Sequence, residues 1–170
     1  ERDLQRLIEN NLLEVFGCRF IASEFSTGAV HAGRIDSLAL SEDNNPVIIE
    51  YKKVESAELL NQGLYYLNWI LDHRGDFEIA AARALGDDVS VDWSHVRVIC
   101  VAPSYSKFSL NAVKQIGGGI ELWQYHRYSN GFLELEEVFR SSEIRSTRHV
   151  SAKKAVDRAP DPEYTYEAHA

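Results

Sequence analysis

Apolar residues recur at Leu4, Leu7, Ile8, Leu12 and Val15, which is the spacing of one helix face over residues 2–16, and Gly17 is a suitable stop. The period then changes. Residues 19–25, 34–40 and 47–53 read as three short strands separated by turn-forming clusters. A long helix is predicted over residues 55–73, with Leu60, Leu64, Leu67 and Leu71 as its core stripe. A second helical piece over residues 77–85 ends at Gly86. Residues 96–102 form a continuous apolar run, the pattern of a strand buried on both faces. A helix over residues 106–116 and a hairpin of residues 120–126 and 132–138 complete the pattern. Gly117-Gly118-Gly119 leads into a strand and is not followed by Gly-Lys-Ser/Thr, so it reads as a turn and not as a phosphate loop. Strands and helices in this order predict an α/β fold, a mixed sheet flanked by helices.

Apolar periodicity fades after Phe139. Residues 141–163 are rich in charge, Ser, Ala and Pro and read as a linker or disordered tail. The expected organisation is therefore one domain over residues 1–139 and a basic tail over 140–170. The length of 170 residues and 45% hydrophobic content suit a single domain with a full core. The chain contains no Met, which reads as an excerpt of a longer protein. No apolar run is long enough to cross a bilayer, so no membrane partner is expected. Cys18 and Cys100 read as buried free thiols, which suits a cytoplasmic location.

Charge narrows the chemistry. The net charge is −8, which argues against a generic electrostatic binder of nucleic acid. Residues 1–139 hold 12 Lys and Arg against 21 Asp and Glu, a net of −9. Arg140–Arg158 holds six basic and two acidic residues, and is expected to act as a salt-sensitive arm. The six His show no zinc spacing, and no Gly-x-Ser-x-Gly element supports serine hydrolase chemistry.

The most informative local pattern is Gly33-Arg34-Ile35-Asp36 followed by Ile49-Glu50-Tyr51-Lys52-Lys53. Side chains alternate along a strand, so Glu50 and Lys52 point the same way. An antiparallel hairpin with Asp36 opposite Glu50 centres its turn on Asp43, inside Ser41-Glu42-Asp43-Asn44-Asn45-Pro46, which has the composition of a turn. Two carboxylates and an ammonium then share one patch. That patch has two readings: a salt-bridged, solvated strand pair, or a seat for a hard divalent cation beside a phosphate. Arg34, on the strand face of Asp36, is either a phosphate clamp or a neutralising partner for the carboxylates. Lys53 and Lys107 are candidate phosphate contacts, and His31 lies in the loop before Asp36. Gln62, Tyr66, Trp69 and His73 form a second stripe on the long helix, with Trp69 expected in the core.

Glu1-Arg2-Asp3-Leu4-Gln5, Gly33-Arg34-Ile35-Asp36, Ile49-Glu50-Tyr51-Lys52-Lys53 and Gln62-Gly63-Leu64-Tyr65-Tyr66 together resemble the PD-(D/E)xK nuclease superfamily, and within it the catalytic domain of NucS/EndoMS-type endonucleases. The resemblance covers about the first four-fifths of the chain and implies a restriction-endonuclease-like sheet. It implies a Mg²⁺-dependent nuclease, with Mn²⁺ as substitute, in which Asp36 and Glu50 hold the metal and Lys52 assists catalysis. It further implies that Gln62 sits near the scissile phosphate and that Tyr66 braces it or stacks on nucleic acid. A helix carboxylate, Glu1 or with less support Glu9, would reach the metal through water. Nucleic acid is the implied partner, DNA ahead of RNA, and a homodimer is one open state. The DNA-binding amino-terminal domain of those relatives has no counterpart here. Glu163–His169 resembles the opening of a second, helical domain found in some bacterial relatives. The alternative is a non-catalytic nucleic-acid or protein interaction module on the same fold.

Overall fold

A computed structural model describes residues 1–141; the expected basic tail and arm lie outside the described residues from position 142 onward. The chain begins with α1 (Arg2–Asn10) and α2 (Leu12–Phe16), where the sequence predicts one helix. Asn11 makes the break. Its side-chain amide donates to the Leu7 carbonyl at 2.8 Å, and its backbone leaves helical geometry at φ −125°. Such local bonding by Asn competes with the helix ladder. Gly17 then ends α2 in the left-handed conformation, φ 63°.

β1 (Cys18–Ser26), β2 (Arg34–Ser41) and β3 (Pro46–Tyr51) follow as an antiparallel meander. α3 (Glu58–Asp72) and α4 (Arg74–Leu85) lead to β4 (Arg97–Ala102), and α5 (Lys107–Gln115) leads to the hairpin β5 (Ile120–Arg127) and β6 (Leu133–Arg140). The six strands form one sheet in the order β1-β2-β3-β4-β5-β6. β3, β4 and β5 run parallel, and the outer pairings are antiparallel. The expected α/β class and mixed sheet are thus observed. β6 runs two residues past its expected end, so Arg140 belongs to the sheet, paired with Glu137 and Glu121.

The β2–β3 register is the one the turn composition implies. Leu40 faces Pro46, Ala39 faces Val47 and Ser37 faces Ile49, all centred on Asp43. Every residue of β3 is buried, because helices cover both faces of the sheet. Leu4, Ile8, Leu12 and Phe16 pack on Ala39, Val47, Ile49 and Tyr51 on one side. On the other, Leu59, Ile70 and Phe77 pack on Leu38, Ile48, Val98 and Leu122.

α3 presents a different face from the expected leucine stripe. Leu60 of that stripe is buried with Leu59, Gly63, Tyr66, Trp69 and Ile70, while Leu64, Leu67 and Leu71 pack against the core only partly covered. Gly63 is the reason: a Cβ there would lie 2.8 Å from Val98 Cγ1 and 3.4 Å from Cys100 Sγ, so the helix backbone rests directly on β4. Trp69 is in the core, as expected, with its ring stacked on His73 at 4.5 Å.

Gly63→Ala is expected to destabilise the fold by about 1–2 kcal/mol, since overpacking against a β-branched neighbour outweighs the better helix propensity of Ala. Urea denaturation measures this. A variant as stable as the parent would show that α3 does not rest on β4 through Gly63.

Candidate metal centre

The β2–β3 ladder stops one pair short of Asp36 and Glu50. Side chains replace it there. The Asp36 backbone N–H donates to Glu50 Oε1 at 3.0 Å, and the Tyr51 N–H donates to Asp36 Oδ2 at 3.0 Å. The expected meeting of Asp36 and Glu50 is therefore present in the fold.

Glu50 is only 3% exposed. Burial, and then the charge of Asp36, push its pKa up to about 9. Burial also raises Asp36, partly opposed by the Tyr51 N–H and the Glu50 bond. The Lys52 ammonium is close enough to lower the Glu50 value. Lys52 is half-buried, and its backbone N–H donates to the Val101 carbonyl at 2.9 Å, which keeps this residue on the sheet beyond the end of β3.

The surrounding residues fall into those that brace the pair and those that stand apart. The buried Gln5 amide donates to the Asp36 carbonyl at 2.7 Å, to Ser23 Oγ at 3.0 Å and to Glu9 Oε1 at 3.1 Å. Glu9 also accepts from Ser37 Oγ at 2.6 Å, and Ser37 lies 3.2 Å from the Tyr51 hydroxyl. Glu9 thus bonds the residue after Asp36, on the α1 side of the sheet, while Glu50 shares its strand face with Ile48 on the α3 side. Glu1 is exposed, and its charge is among those that raise the Asp36 pKa.

Tyr66 is 7% exposed, and its hydroxyl accepts from the Arg34 backbone N–H at 3.1 Å. The hydroxyl thus holds the start of β2 and not Gln62, and the buried ring leaves little face for stacking. Gly33 makes the approach feasible, since a Cβ there would sit 3.0 Å from the Tyr66 ring. Gln62 is half-buried one turn earlier and makes no hydrogen bond among the described residues. The Arg34 side chain pairs with Glu24 at 3.1 Å, so its neutralising partner is Glu24 and not Asp36. Lys53 is exposed. His31 lies beside α3, with Nδ1 3.2 Å from the Tyr65 hydroxyl. Cys18 and Cys100 are buried free thiols.

Gln5 stands in the sequence within Glu1-Arg2-Asp3-Leu4-Gln5 with no role of its own, and the structure gives it the bond to the Asp36 carbonyl. Its signal was a polar residue beside Leu4 and Ile8 on the buried face of α1.

Among the described residues, no group of three or more His, Cys, Asp or Glu side chains is arranged to hold a metal. The donor set is the Asp36–Glu50 pair alone. Two hard oxygen donors, Glu50 buried and Asp36 half-buried beside it, still suit a divalent cation that keeps several waters. Such a cation would displace the proton and offset the buried negative charge. No helix among the described residues is long and apolar enough to cross a membrane.

No protein-family model matches the chain. An uncharacterized protein of Haemophilus influenzae is 35% identical over 158 residues, covering 91% of this chain and 51% of that protein. The chain thus spans about half the length of the curated relative it matches. Among solved structures it is similar to an EndoMS–dsDNA complex, with TM-score 0.40 and 20% identity over 72% of this chain and 44% of that one. A repair endonuclease from Pyrococcus abyssi gives TM-score 0.37 and 19% identity over 72% and 44%. SfsA of Pyrococcus furiosus in complex with Ca²⁺ gives TM-score 0.40 and 15% identity over 80% and 61%. At TM-scores of 0.37 to 0.40 these likenesses carry no argument about this chain, and the site stands on its own geometry.

The raised Glu50 pKa has a stability consequence. Between the ordinary carboxyl value of 4.5 and about 9, the folded chain holds a proton that the unfolded chain releases. Stability should therefore fall as pH rises through that window, by up to about 1.4 kcal/mol per unit. Glu50→Gln should remove this slope in the metal-free protein. Urea titrations at several pH values check it, and parallel pH profiles for variant and parent would contradict the buried, protonated Glu50.

Proposed function

We propose that this chain is a divalent-metal-dependent nuclease that hydrolyses phosphodiester bonds, with DNA as the favoured substrate. The observation that carries this reading is the meeting of the buried Glu50 with the half-buried Asp36 at the open end of the hairpin, with Lys52 beside it. A purely structural strand pair has little reason to bury a glutamate against an aspartate without a compensating cation.

Asp36 and Glu50 would hold Mg²⁺ or Mn²⁺. A bound cation would supply Lewis acidity toward a phosphodiester oxygen and acidify nearby water. The chain's own residues do the rest. Glu50 gives up its proton when the cation binds. Lys52 holds a positive charge against the charge that develops on the phosphoryl oxygens, or positions the attacking water. Tyr66 fixes the start of β2 through the Arg34 N–H, which keeps Asp36 in place. The Gln62 amide is available to a phosphate or to water. The exposed Lys53 contributes a more distant phosphate contact. Glu9 acts on the site through Ser37 and Gln5. Two buried free thiols accord with a cytoplasmic location.

Cleavage of a DNA oligonucleotide is expected with Mg²⁺ or Mn²⁺ and to stop with EDTA. Lys52→Ala should lower the cleavage rate on the order of a hundredfold or more while Mn²⁺ still binds. Glu50→Gln should lose Mn²⁺ binding by calorimetry. Cleavage that survives EDTA, or undiminished Mn²⁺ binding by Glu50→Gln, would sink the assignment. Binding of nucleic acid without cleavage under any of these ions would instead favour the non-catalytic module.

A further inference from the structure

We infer that Arg2, Arg6 and Arg34 form a phosphate-binding groove that seats the backbone of the nucleic-acid strand next to the carboxylate pair. The inference rests on the nuclease reading for its ligand, but on separate residues.

A groove of about 290 Å³ is lined by Arg2, Gln5, Arg6, Ser23, Glu24 and Arg34. Three of its six lining residues are arginines, in a region where 12 basic residues face 21 acidic ones. Arg2 and Arg6 are four residues apart on α1 and so share a helix face. Both are exposed, and neither has an ion pair or hydrogen bond among the described residues. Arg34 reaches the groove from β2, with its guanidinium on Glu24 at 3.1 Å. The only carboxylate in the lining is therefore engaged by one arginine, and the other two leave uncompensated positive charge.

The position of the groove selects the ligand. Its buried wall residue Gln5 donates to the Asp36 carbonyl at 2.7 Å, and Arg34 precedes Asp36 by two residues on the same strand. The groove therefore adjoins the Asp36 backbone through Gln5, and the charge of its lining residue Glu24 is felt at the Asp36 carboxyl. Planar guanidinium forks match phosphodiester oxygens in pairs. A body with a net charge of −9 over residues 1–139 repels a polyanion at large. A local arginine groove gives the strand one place to enter, and it would set which phosphate reaches Asp36 and Glu50.

The test uses the full chain in EDTA, so that cleavage plays no part. Binding of a short single-stranded oligodeoxythymidylate is followed by fluorescence anisotropy across a salt series. The arginine Nε–H signals are followed by NMR on the parent protein. The Arg2, Arg6 and Arg34 signals should shift together and saturate. The double variant Arg2→Ala/Arg6→Ala alters exposed side chains and should melt like the parent. It should bind about tenfold or more weakly and flatten the slope of log affinity against log salt by about 1.4, or about 0.7 for each single-strand phosphate that an arginine no longer neutralises. Arg2→Lys/Arg6→Lys should keep the slope and lose part of the affinity, because the charge remains and the fork does not. Glu24→Gln should tighten binding about two- to fivefold by releasing Arg34 from a solvated pair. An unchanged affinity and slope in the double alanine variant, shifts confined to other arginines, or no binding by the parent would each overturn the inference. An oligonucleotide held at these arginines but never cut with Mn²⁺ would remove the nuclease reading and leave the groove. Cutting without these shifts would do the reverse.

Discussion

The structure depends on how the open end of the β2–β3 hairpin satisfies its backbone. A buried N–H or C=O without a partner costs about as much as a broken hydrogen bond, so every such group must be accounted for. Here the ladder ends at Ser37 and Ile49, and side chains take over. The Asp36 N–H goes to Glu50, the Asp36 C=O receives Gln5, the Tyr51 N–H goes to Asp36, and the Arg34 N–H goes to Tyr66. One helix from each face of the sheet therefore supplies a partner. The carboxylates do not merely sit at the hairpin end; they are what allows the strands to part there without orphaned amides.

This use of Asp36 and Glu50 has an electrostatic cost. Both carboxyls lie in a low-dielectric setting, and burial raises the pKa of each. The metal-free chain meets the cost by favouring the protonated form of Glu50, whose pKa is pushed up to about 9. A cation would meet it without the proton and would leave both carboxylates charged. The same amide bonds that hold the pair in the metal-free state fix one oxygen of each carboxyl, so the remaining oxygens are oriented before any cation arrives. That is preorganisation, and it reduces what must be ordered when a ligand binds.

The hairpin was legible in the sequence because two independent signals agreed: the period of two on each strand and a turn cluster centred on Asp43. The element order and the burial of residues 97–102 were legible for similar reasons. What failed did so through contacts that no local pattern contains. Asn11 splits the first helix by bonding Leu7 with its side chain, although the apolar spacing runs straight through it. Gly63 turns α3 toward Tyr66 and Ile70, because the decisive fact is the distance to Val98 on another strand. The pairing of Arg34 with Glu24 follows from the β1–β2 register, which shifts between Phe20 and Ala22 and so escapes counting. Gln5 reads as an interruption of an apolar stripe until the Asp36 carbonyl is seen beneath it.

The place of the site in the topology follows from β3 having two unlike neighbours. On its antiparallel side β3 leaves β2 after Ile49. On its parallel side it stays with β4 for longer: Glu50 faces Cys100, Tyr51 faces Val101, and the Lys52 N–H still bonds the Val101 carbonyl. Glu50, Tyr51 and Lys52 are thus anchored from one edge and released from the other. A site on a loop would be freer and less precise; one in the middle of a ladder would have no room for a ligand. The strand where the sheet changes from antiparallel to parallel pairing offers both rigidity and an opening, and this is where the chain places its two carboxylates and its lysine.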